Sequence, residues 1–599
     1  MAYIQSLPFN EETPAKLSSM AYGSSWPVVY ILNNDSEAYV GETLDAVIRS
    51  RQHLDNPERK KLTQMSIITD DTFNKSVILD LEAYLIKHMG ADNVYSLQNN
   101  NDGLKNHEYF NRNIYAKRFE DIWEQLRQRK LAHKTARDIE NSDLFKYSPY
   151  NALSSDQYLT VSEIIHELAA ACKSGKDMHS LVCGGPGTGK TILGVYLMKL
   201  LHDRNVNEIP EELNEDINSR LLKDLISLPD LKIGFVVPMG SLRSTMTNIF
   251  SSVHGLTKDM IISPTGVVKK KYDLLIVDEA HRLKRRKALQ QNYYHVMDEN
   301  NKSFGLGPEG TELDWILKSS KYQIIFYDDR QTVRPCDVLP EKFNELKKDK
   351  DTIQFQLRTQ FRCKGGDEYI RYMRDIFSAY PPADFRIFDG YDLKLFDDGV
   401  DMINAIREKN KDMKLCRVIA GYGWEWKSRK NPEAYDIKIG NEEYRWNTTD
   451  KDWINSPNSI DEIGCIHTVQ GYDLNYAGVI LGPEIDYVEG RFVVDPKKYY
   501  DMIGKNSISQ DQDKLVDFIN NIYSTMLTRG ICGTYIYACN SGLRQYLKKY
   551  IRTEPHIIDD GVKAEPQIPM IDNEIAFPTI GKYQGLRVAE KPDTDGFEQ

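Results

Sequence analysis

From Tyr147 to about Tyr550 the chain repeats one pattern, in which short unbroken apolar runs alternate with longer stretches of helical spacing. The runs include Ser180-Leu-Val-Cys183, Ile233-Gly-Phe-Val-Val237, Leu274-Leu-Ile-Val277 and Ile324-Ile-Phe-Tyr327. A run that is apolar throughout, instead of at every second position, belongs to a strand buried on both faces, so the pattern predicts an α/β fold with parallel sheets covered by helices. Upstream, 27–103 mixes short β-rich runs with helical stretches. There, Pro27-Val-Val-Tyr30-Ile-Leu32 and Ala38-Tyr39-Val-Gly41 flank the turn-rich Asn33-Asn-Asp-Ser36, which predicts a hairpin.

The remaining segments read differently. Residues 1–26 are expected to be an irregular lead-in. Residues 104–145 form a polar helical connector carrying Lys105, Arg112, Lys117, Arg118, Arg127, Arg129, Lys130, Lys134 and Arg137, either a solvated linker or a phosphate-contacting face. The acidic stretch Glu208–Asp216 reads as a surface insertion. Residues 556–599, broken by Pro566, Pro569, Pro578 and Pro592, read as an extended tail. The long repetitive region divides into lobes at 146–340 and 341–555.

Composition narrows the class. The 599 residues predict several domains at roughly 100–200 residues each, and 41% hydrophobic with 28% charged residues excludes large-scale disorder. With 77 Lys+Arg against 88 Asp+Glu the net charge is −11, so a nucleic-acid partner requires cations gathered in particular grooves. The first residues have no basic and apolar leader pattern, and no run of about 18 apolar residues occurs, which predicts a cytoplasmic protein without a membrane segment. The eight cysteines are scattered without a CxxC pair and are expected as small core residues, in neither a zinc site nor a disulfide framework.

The clearest chemistry is Gly184-Gly185-Pro186-Gly187-Thr188-Gly189-Lys190-Thr191, which follows an apolar run and precedes the helical Ile192–Leu201. Glycines let backbone N–H groups close on phosphates, Lys190 reaches the β- and γ-phosphates, and the Thr191 hydroxyl is a Mg²⁺ ligand. The run Leu274-Leu-Ile-Val277 ends in Asp278-Glu279-Ala-His281, a carboxylate pair at a strand terminus. Asp278 suits Mg²⁺ and Glu279 suits polarising an attacking water. Together they predict ATP hydrolysis.

These motifs and several more in sequence resemble the superfamily 1 helicase-like ATPases, specifically the Schlafen-type DNA/RNA helicase group. The resemblance implies two RecA-like parallel-sheet lobes. Ser148–Gln157 resembles the Q motif, which implies that Gln157 lies at the adenine edge. Val236–Arg243 resembles motif Ia, a nucleic-acid contact. Phe326-Tyr-Asp328-Asp-Arg-Gln331 resembles motif III, with Gln331 as γ-phosphate sensor. Leu357–Arg362 and Met526-Leu-Thr-Arg529-Gly530 resemble motifs IV and VI, which makes Arg362 and Arg529 arginine fingers, and Ile466–Asp473 resembles motif V. Arginines delivered from a second lobe couple hydrolysis to lobe closure. Trp424, Trp426, Trp446 and Trp453, interleaved with Lys427, Arg429 and Lys430, either stack a single strand or pack a subdomain. The segment His281–Lys287 either grips phosphates or is a solvated loop.

In the N-terminal region Arg49 and His53 stand i, i+4 on one helix face, and Glu82 lies on a later helix. With Tyr30 and Tyr39 on the two strands, these residues resemble the GIY-YIG nuclease family, although the first motif reads Val28-Val29-Tyr30, without its glycine. The resemblance implies Tyr39 as base or proton relay, Arg49 on the phosphate, His53 assisting, Tyr30 supporting, and Glu82 holding Mg²⁺ or Mn²⁺. Asn99 is a further match. The whole chain thus reads as an ATP-dependent nucleic-acid motor fused to a metal-dependent endonuclease, with DNA favoured over RNA, in prokaryotic defence or repair. An ATP-gated nuclease or sensor without unwinding, and an enzyme cutting tRNA or rRNA, are the alternatives. Protein partners or a homo-oligomer stay open.

Overall fold

Strands β1 (Tyr3–Pro8), β2 (Val28–Asn33), β3 (Glu37–Thr43), β4 (Gln64–Thr69) and β5 (Ser96–Leu97) build an N-terminal sheet in the order β1-β4-β2-β3-β5. The computed structural model describes residues 2–99, 109–149, 153–203, 215–328, 331, 334–359, 363–449, 453–469, 472–501 and 511–555. The predicted hairpin forms between β2 and β3. Its turn is set by Asn34, whose Oδ1 accepts from the N–H groups of Ser36 (2.9 Å) and Glu37 (2.7 Å). The lead-in, by contrast, is not irregular throughout: β1 pairs antiparallel with β4 from Tyr3↔Thr69 to Pro8↔Gln64. Only Ile4 and Leu7 of β1 are buried, so the strand is too polar to show as an apolar run.

The connector is no detached linker. Its helix Arg112–Gln128 buries Phe119, Ile122, Trp123 and Leu126, at i, i+3, i+4 and i+7, in the core shared with the helix Lys75–Asp92. Its polar face is occupied as well, with Arg112 3.3 Å from Asp80 and Arg118 3.2 Å from Asp70. Beyond it, Asp92 accepts from the N–H groups of His133 (2.7 Å) and Lys134 (2.9 Å).

The first lobe holds β6 (Met178–Gly184), β7 (Ile233–Val236), β8 (Ile261–Ile262), β9 (Leu274–Val277), β10 (Tyr322–Tyr327) and β11 (Thr352–Leu357), all parallel, in the order β11-β6-β10-β9-β7-β8. The division expected at 340/341 is therefore too early, because β11 pairs with β6 and keeps the chain in the first lobe to Leu357. Its Thr-Ile-Gln-Phe-Gln-Leu alternation is that of an edge strand, unlike the buried runs. The second lobe holds β12 (Asp392–Phe396), β13 (Cys416–Ala420), β16 (Ile463–Cys465), β17 (Leu474–Leu481), β20 (Gly530–Ala538) and β21 (Thr553–Glu554), again parallel, in the order β16-β13-β17-β20-β12-β21. Hairpins β14 (Ile437–Ile439)–β15 (Glu442–Tyr444) and β18 (Ile485–Val488)–β19 (Arg491–Val494) are appended to it.

The tryptophan-rich stretch is chiefly core. Trp446 and Trp453 are fully buried, and Trp424 and Trp426 lie with ring centroids 6.4 and 6.2 Å from Trp446. Trp453 fills space left by Gly464, where a Cβ would come within 2.4 Å of its ring, and donates to Glu462 Oε2 at 2.8 Å. Five cysteines, Cys336, Cys363, Cys416, Cys465 and Cys532, are buried in cores as small side chains. No described helix is long and apolar enough to cross a membrane. Residues 208–214 of the acidic insertion and the tail 556–599 lie outside the described residues.

Removing this buried indole leaves a cavity and takes one donor from Glu462, which keeps those of the Thr448 N–H and hydroxyl. Trp453→Ala should destabilise the second lobe by about 3–5 kcal/mol, read as an earlier unfolding transition in denaturant. The partly exposed Trp424→Ala should cost less, and equal costs would refute the burial assignment.

Candidate nucleotide site and N-terminal polar cluster

The phosphate loop joins β6 to the helix Lys190–Asp203. Gly187 (φ 80°) and Gly189 (φ 77°) take left-handed backbone that a side chain would strain. Lys190 is buried, and its Nζ donates to the carbonyls of Gly184 (2.7 Å) and Gly185 (2.9 Å), which occupies the ammonium inside the loop. Gln157 belongs to a capping box with Ser154 at the start of the helix Ser155–Ser174, and its Nε2 donates to the carbonyl of Thr188 at 3.0 Å. It therefore supports the loop directly.

Opposite, at the end of β9, the Thr191 hydroxyl donates to Asp278 Oδ2 at 2.8 Å, while Asp278 Oδ1 has no hydrogen-bond partner among the described residues. Glu279 adopts φ 49°, a left-handed conformation that costs a non-glycine residue energy and is typical of functional turns. Its Oε2 lies 2.8 Å from His281 Nε2. Burial and the adjacent Glu279 charge push the Asp278 carboxyl up. Burial also works against ionised Glu279, but His281, Lys190 and Arg529 outweigh it and hold this carboxyl below its usual range.

A buried polar chain then crosses between the lobes. Lys190 Nζ lies 3.7 Å from Asp328 Oδ2, which accepts from Gln331 Nε2 at 2.7 Å. Gln331 Oε1 in turn accepts from Arg529 Nη2 of the second lobe at 3.2 Å. Tyr472 adds a second crossing, its hydroxyl 3.1 Å from Thr245 Oγ1. Arg362 lies outside the described residues, as do Gln470 and Gly471 of the motif V segment.

Other expected contacts turn inward. Arg243 donates to the carbonyl of Val237 at 2.9 Å. In the basic segment after Glu279, Arg282 is buried against Asp337 at 2.7 Å, Arg285 donates to the carbonyl of Pro335 at 3.1 Å, and Arg286 pairs with Asp298 at 2.6 Å. Arg282 and Arg285 thus brace the lobe from within, while Arg286, in an exposed ion pair, and Lys287 stay at the surface.

Tyr30 and Tyr39 of the N-terminal sheet converge with Arg49 and His53 of the helix Ala46–Asp55. Tyr30 stands opposite Gly41 in the β2–β3 register, and a Cβ at Gly41 would come within 2.2 Å of the Tyr30 hydroxyl, so the glycine gives this phenol its place. Arg49 Nε donates to Tyr30 Oη at 3.2 Å, and the same phenol shares a hydrogen bond of 2.7 Å with His53 Nε2. The Tyr39 ring lies 5.2 Å from that of His53. Burial, aided by Arg49 and Arg59, pulls His53 down from 6.5 to about 3, and burial raises Tyr30 well above 10. Glu82, half-buried on the helix Lys75–Asp92, is close enough for its charge to add to the Tyr30 shift. Asn99 brackets Val40, accepting from its N–H at 3.0 Å and donating to its carbonyl at 2.8 Å. Arg59 was not apparent from sequence. Its guanidinium stands 3.9 Å over the Tyr39 ring and its Nη1 donates to Gln98 at 2.7 Å, a placement that no motif spacing signals.

The description Schlafen group 3, DNA/RNA helicase domain, matches residues 178–540. The chain belongs to this family. The Schlafen group 3 match begins at β6 and takes in the phosphate loop, Asp278-Glu279, Gln331 and Arg529, so the nucleotide site lies wholly inside the helicase domain except for Gln157. An uncharacterized protein of Saccharomyces cerevisiae, YPL245W, is 29% identical over 338 residues, covering 50% of this chain and 71% of its own length. Among solved structures, the Arterivirus nonstructural protein 10 helicase is 13% identical, covering 64% of this chain and 63% of its own, with a TM-score of 0.26. The Candida albicans Pif1 helicase is 11% identical, covering 66% and 96%, with a TM-score of 0.26. This chain thus spans under two thirds of the Arterivirus protein.

A helicase-like P-loop ATPase of this family uses ATP and a divalent metal, and the residues fit both. The orphaned Asp278 Oδ1 beside Thr191 Oγ1 offers hard oxygen donors suited to Mg²⁺, and the open backbone at Gly185 leaves room for phosphate. In the N-terminal cluster no group of three or more His, Cys, Asp or Glu gathers as a metal cage among the described residues.

The depressed His53 has a pH consequence. The unfolded chain binds a proton at His53 below 6.5 whereas the folded chain does so only near 3, so stability is present above 6.5 and lost as pH falls toward 3. Thermal midpoints measured across pH 7 to 4 should fall less steeply for His53→Gln than for the parent. Parallel profiles would contradict the assignment.

Proposed function

We propose that the chain is an ATP-driven nucleic-acid motor whose N-terminal domain is a GIY-YIG-type endonuclease, acting on DNA in preference to RNA. The observation that carries the motor reading is the buried chain Lys190–Asp328–Gln331–Arg529, because it ties the phosphate loop to the opposite lobe. In this reading Lys190 exchanges the loop carbonyls for phosphate oxygens, and ionised Glu279 accepts a proton from the attacking water. Arg529 supplies positive charge from the second lobe, so its contact with Gln331 reports lobe position to the phosphate end. Thr191 and Asp278 would hold Mg²⁺, which neutralises phosphate charge when bound.

The nuclease reading rests on the convergence of Tyr30, Tyr39, Arg49 and His53 near Glu82. Tyr30 is fully buried and its proton is strongly held, so it suits orientation of His53 and Arg49. Tyr39 lies at the edge of burial under the Arg59 guanidinium and is the phenol placed to relay a proton from water. Arg49 balances charge growing on the phosphate, and Glu82 would hold Mg²⁺ or Mn²⁺.

A second reading, ATP gating of cleavage without unwinding, is favoured by how the connector docks. Asn475 Nδ2, two residues after the motif V segment, donates to Asn141 Oδ1 at 2.8 Å, and Arg137 donates to the carbonyl of Asp412 at 2.9 Å. The same connector packs against the helix that carries Glu82. Strand displacement on forked DNA separates the two readings, since hydrolysis without displacement selects gating.

Lys190→Ala should lower ATP hydrolysis at least about a hundredfold. Glu82→Ala should abolish cleavage of labelled DNA with Mg²⁺ or Mn²⁺ while ATP hydrolysis stays at the parent level. Undiminished cleavage by Glu82→Ala would sink the nuclease reading, and preferential cleavage of RNA would redirect it to the RNA-cutting alternative.

A further inference from the structure

Asp156 makes more contacts than a helix-surface carboxylate requires. It stands in the first turn of the helix Ser155–Ser174, beside Gln157, yet its oxygens reach residues 202 and 203 positions away. Oδ2 accepts from the backbone N–H groups of Arg358 (3.0 Å) and Thr359 (3.1 Å), while Oδ1 accepts from Thr359 Oγ1 (2.8 Å) and from Ser154 Oγ. Burial works against its charge, but these donors outweigh it and hold the carboxyl below its usual range. Arg358 and Thr359 come directly after β11, whose last residue Leu357 is in register with Gly184 at the start of the phosphate loop. One helical turn therefore grips two things, the loop through Gln157 and Thr188, and the point where the chain leaves the first lobe.

The crossing is short. Five peptide steps separate Thr359 from Lys364, a reach of at most about 18 Å. On the far side the Lys364 N–H donates to the carbonyl of Ile531 at 2.9 Å, in β20 and two residues beyond Arg529, which directly precedes that strand. The described residues on either side are thus each held, Thr359 by Asp156 and Lys364 by Ile531, beside the arginine that meets Gln331.

We propose that Asp156 is a positioning residue of the ATPase, fixing where the chain leaves the first lobe so that Arg529 of the second lobe is set against Gln331. It touches no reacting atom in this role. It acts through the crossing, and the inference rests on the ATPase reading above. Losing the anchor should misplace Arg529 while leaving the phosphate loop intact, which affects turnover more than nucleotide binding.

The test compares steady-state ATP hydrolysis by the full chain, at saturating single-stranded nucleic acid, for the parent, Asp156→Ala, Asp156→Asn and Thr359→Val. Asp156→Ala should lose about tenfold or more in kcat with KM for ATP changed less than about threefold and the thermal midpoint held. Asp156→Asn keeps one carbonyl oxygen for the backbone N–H groups and should recover part of the loss, while Thr359→Val, which removes one hydroxyl donor, should show a smaller defect of the same kind. If Asp156→Ala does not fold, the isosteric Asn and the Val variants carry the test with the same split. Unchanged kcat overturns the proposal, as does a loss matched by raised KM and lowered thermal midpoint without recovery in Asp156→Asn. A parent that hydrolyses no ATP would defeat the ATPase reading itself, and this proposal with it.

Discussion

The two lobes depend on a line of charged and polar side chains that is buried and has little access to water. Lys190, Asp328, Gln331 and Arg529 each keep under a tenth of their surface exposed, and Asp278 and Glu279 lie beside them equally enclosed. Burying such groups is tolerable only while each finds a partner, because an isolated charge in a dry interior costs several kcal/mol. The chain of contacts satisfies that demand by crossing from one lobe to the other. Any nucleotide phosphate that draws Lys190 away from the Gly184 and Gly185 carbonyls must therefore alter what Asp328, Gln331 and Arg529 have available. Electrostatic necessity thus links the site to the placement of the second lobe.

The N-terminal domain solves a similar problem on a smaller scale. A buried phenol, an imidazole kept neutral and a guanidinium satisfy one another because Gly41 leaves room for the Tyr30 ring and Asn99 pins the neighbouring backbone. The cluster does not stand apart from the lobes. Its Glu82-bearing helix shares a core with the connector, and the connector meets the second lobe at a turn where Lys414 (φ 54°) and Leu415 (φ 47°) both have the positive φ that favours glycine. Two such residues in succession store strain that the surrounding hydrogen bonds from Asn475 and Asn141 must hold.

Much of this was legible in the sequence for identifiable physical reasons. Parallel strands buried on both faces write unbroken apolar runs, so β6, β7, β9 and β10 were evident, and Asn33–Ser36 announced its hairpin. The phosphate loop was legible because its glycines are needed for backbone conformation and its Lys-Thr for chemistry. Strands β1 and β11 escaped because they lie at sheet edges, where alternation is shallow and polar residues are admitted. That single effect hid the order of the lead-in and moved the lobe boundary past Leu357. Asp156 and Arg59 escaped for another reason. Their partners are backbone N–H groups or an aromatic face far away in sequence, and such contacts impose no spacing rule. Local composition misled at Arg282 and Arg285, whose cations are taken up inside the lobe by Asp337 and the Pro335 carbonyl.

The most direct test of the coupling between the lobes is a double-mutant cycle on Gln331 and Arg529, read in kcat/KM for ATP hydrolysis. If the buried line acts as one unit, Gln331→Ala and Arg529→Ala together should be no more damaging than the worse single change. Losses that multiply independently would show that the two residues act separately, and would contradict the account.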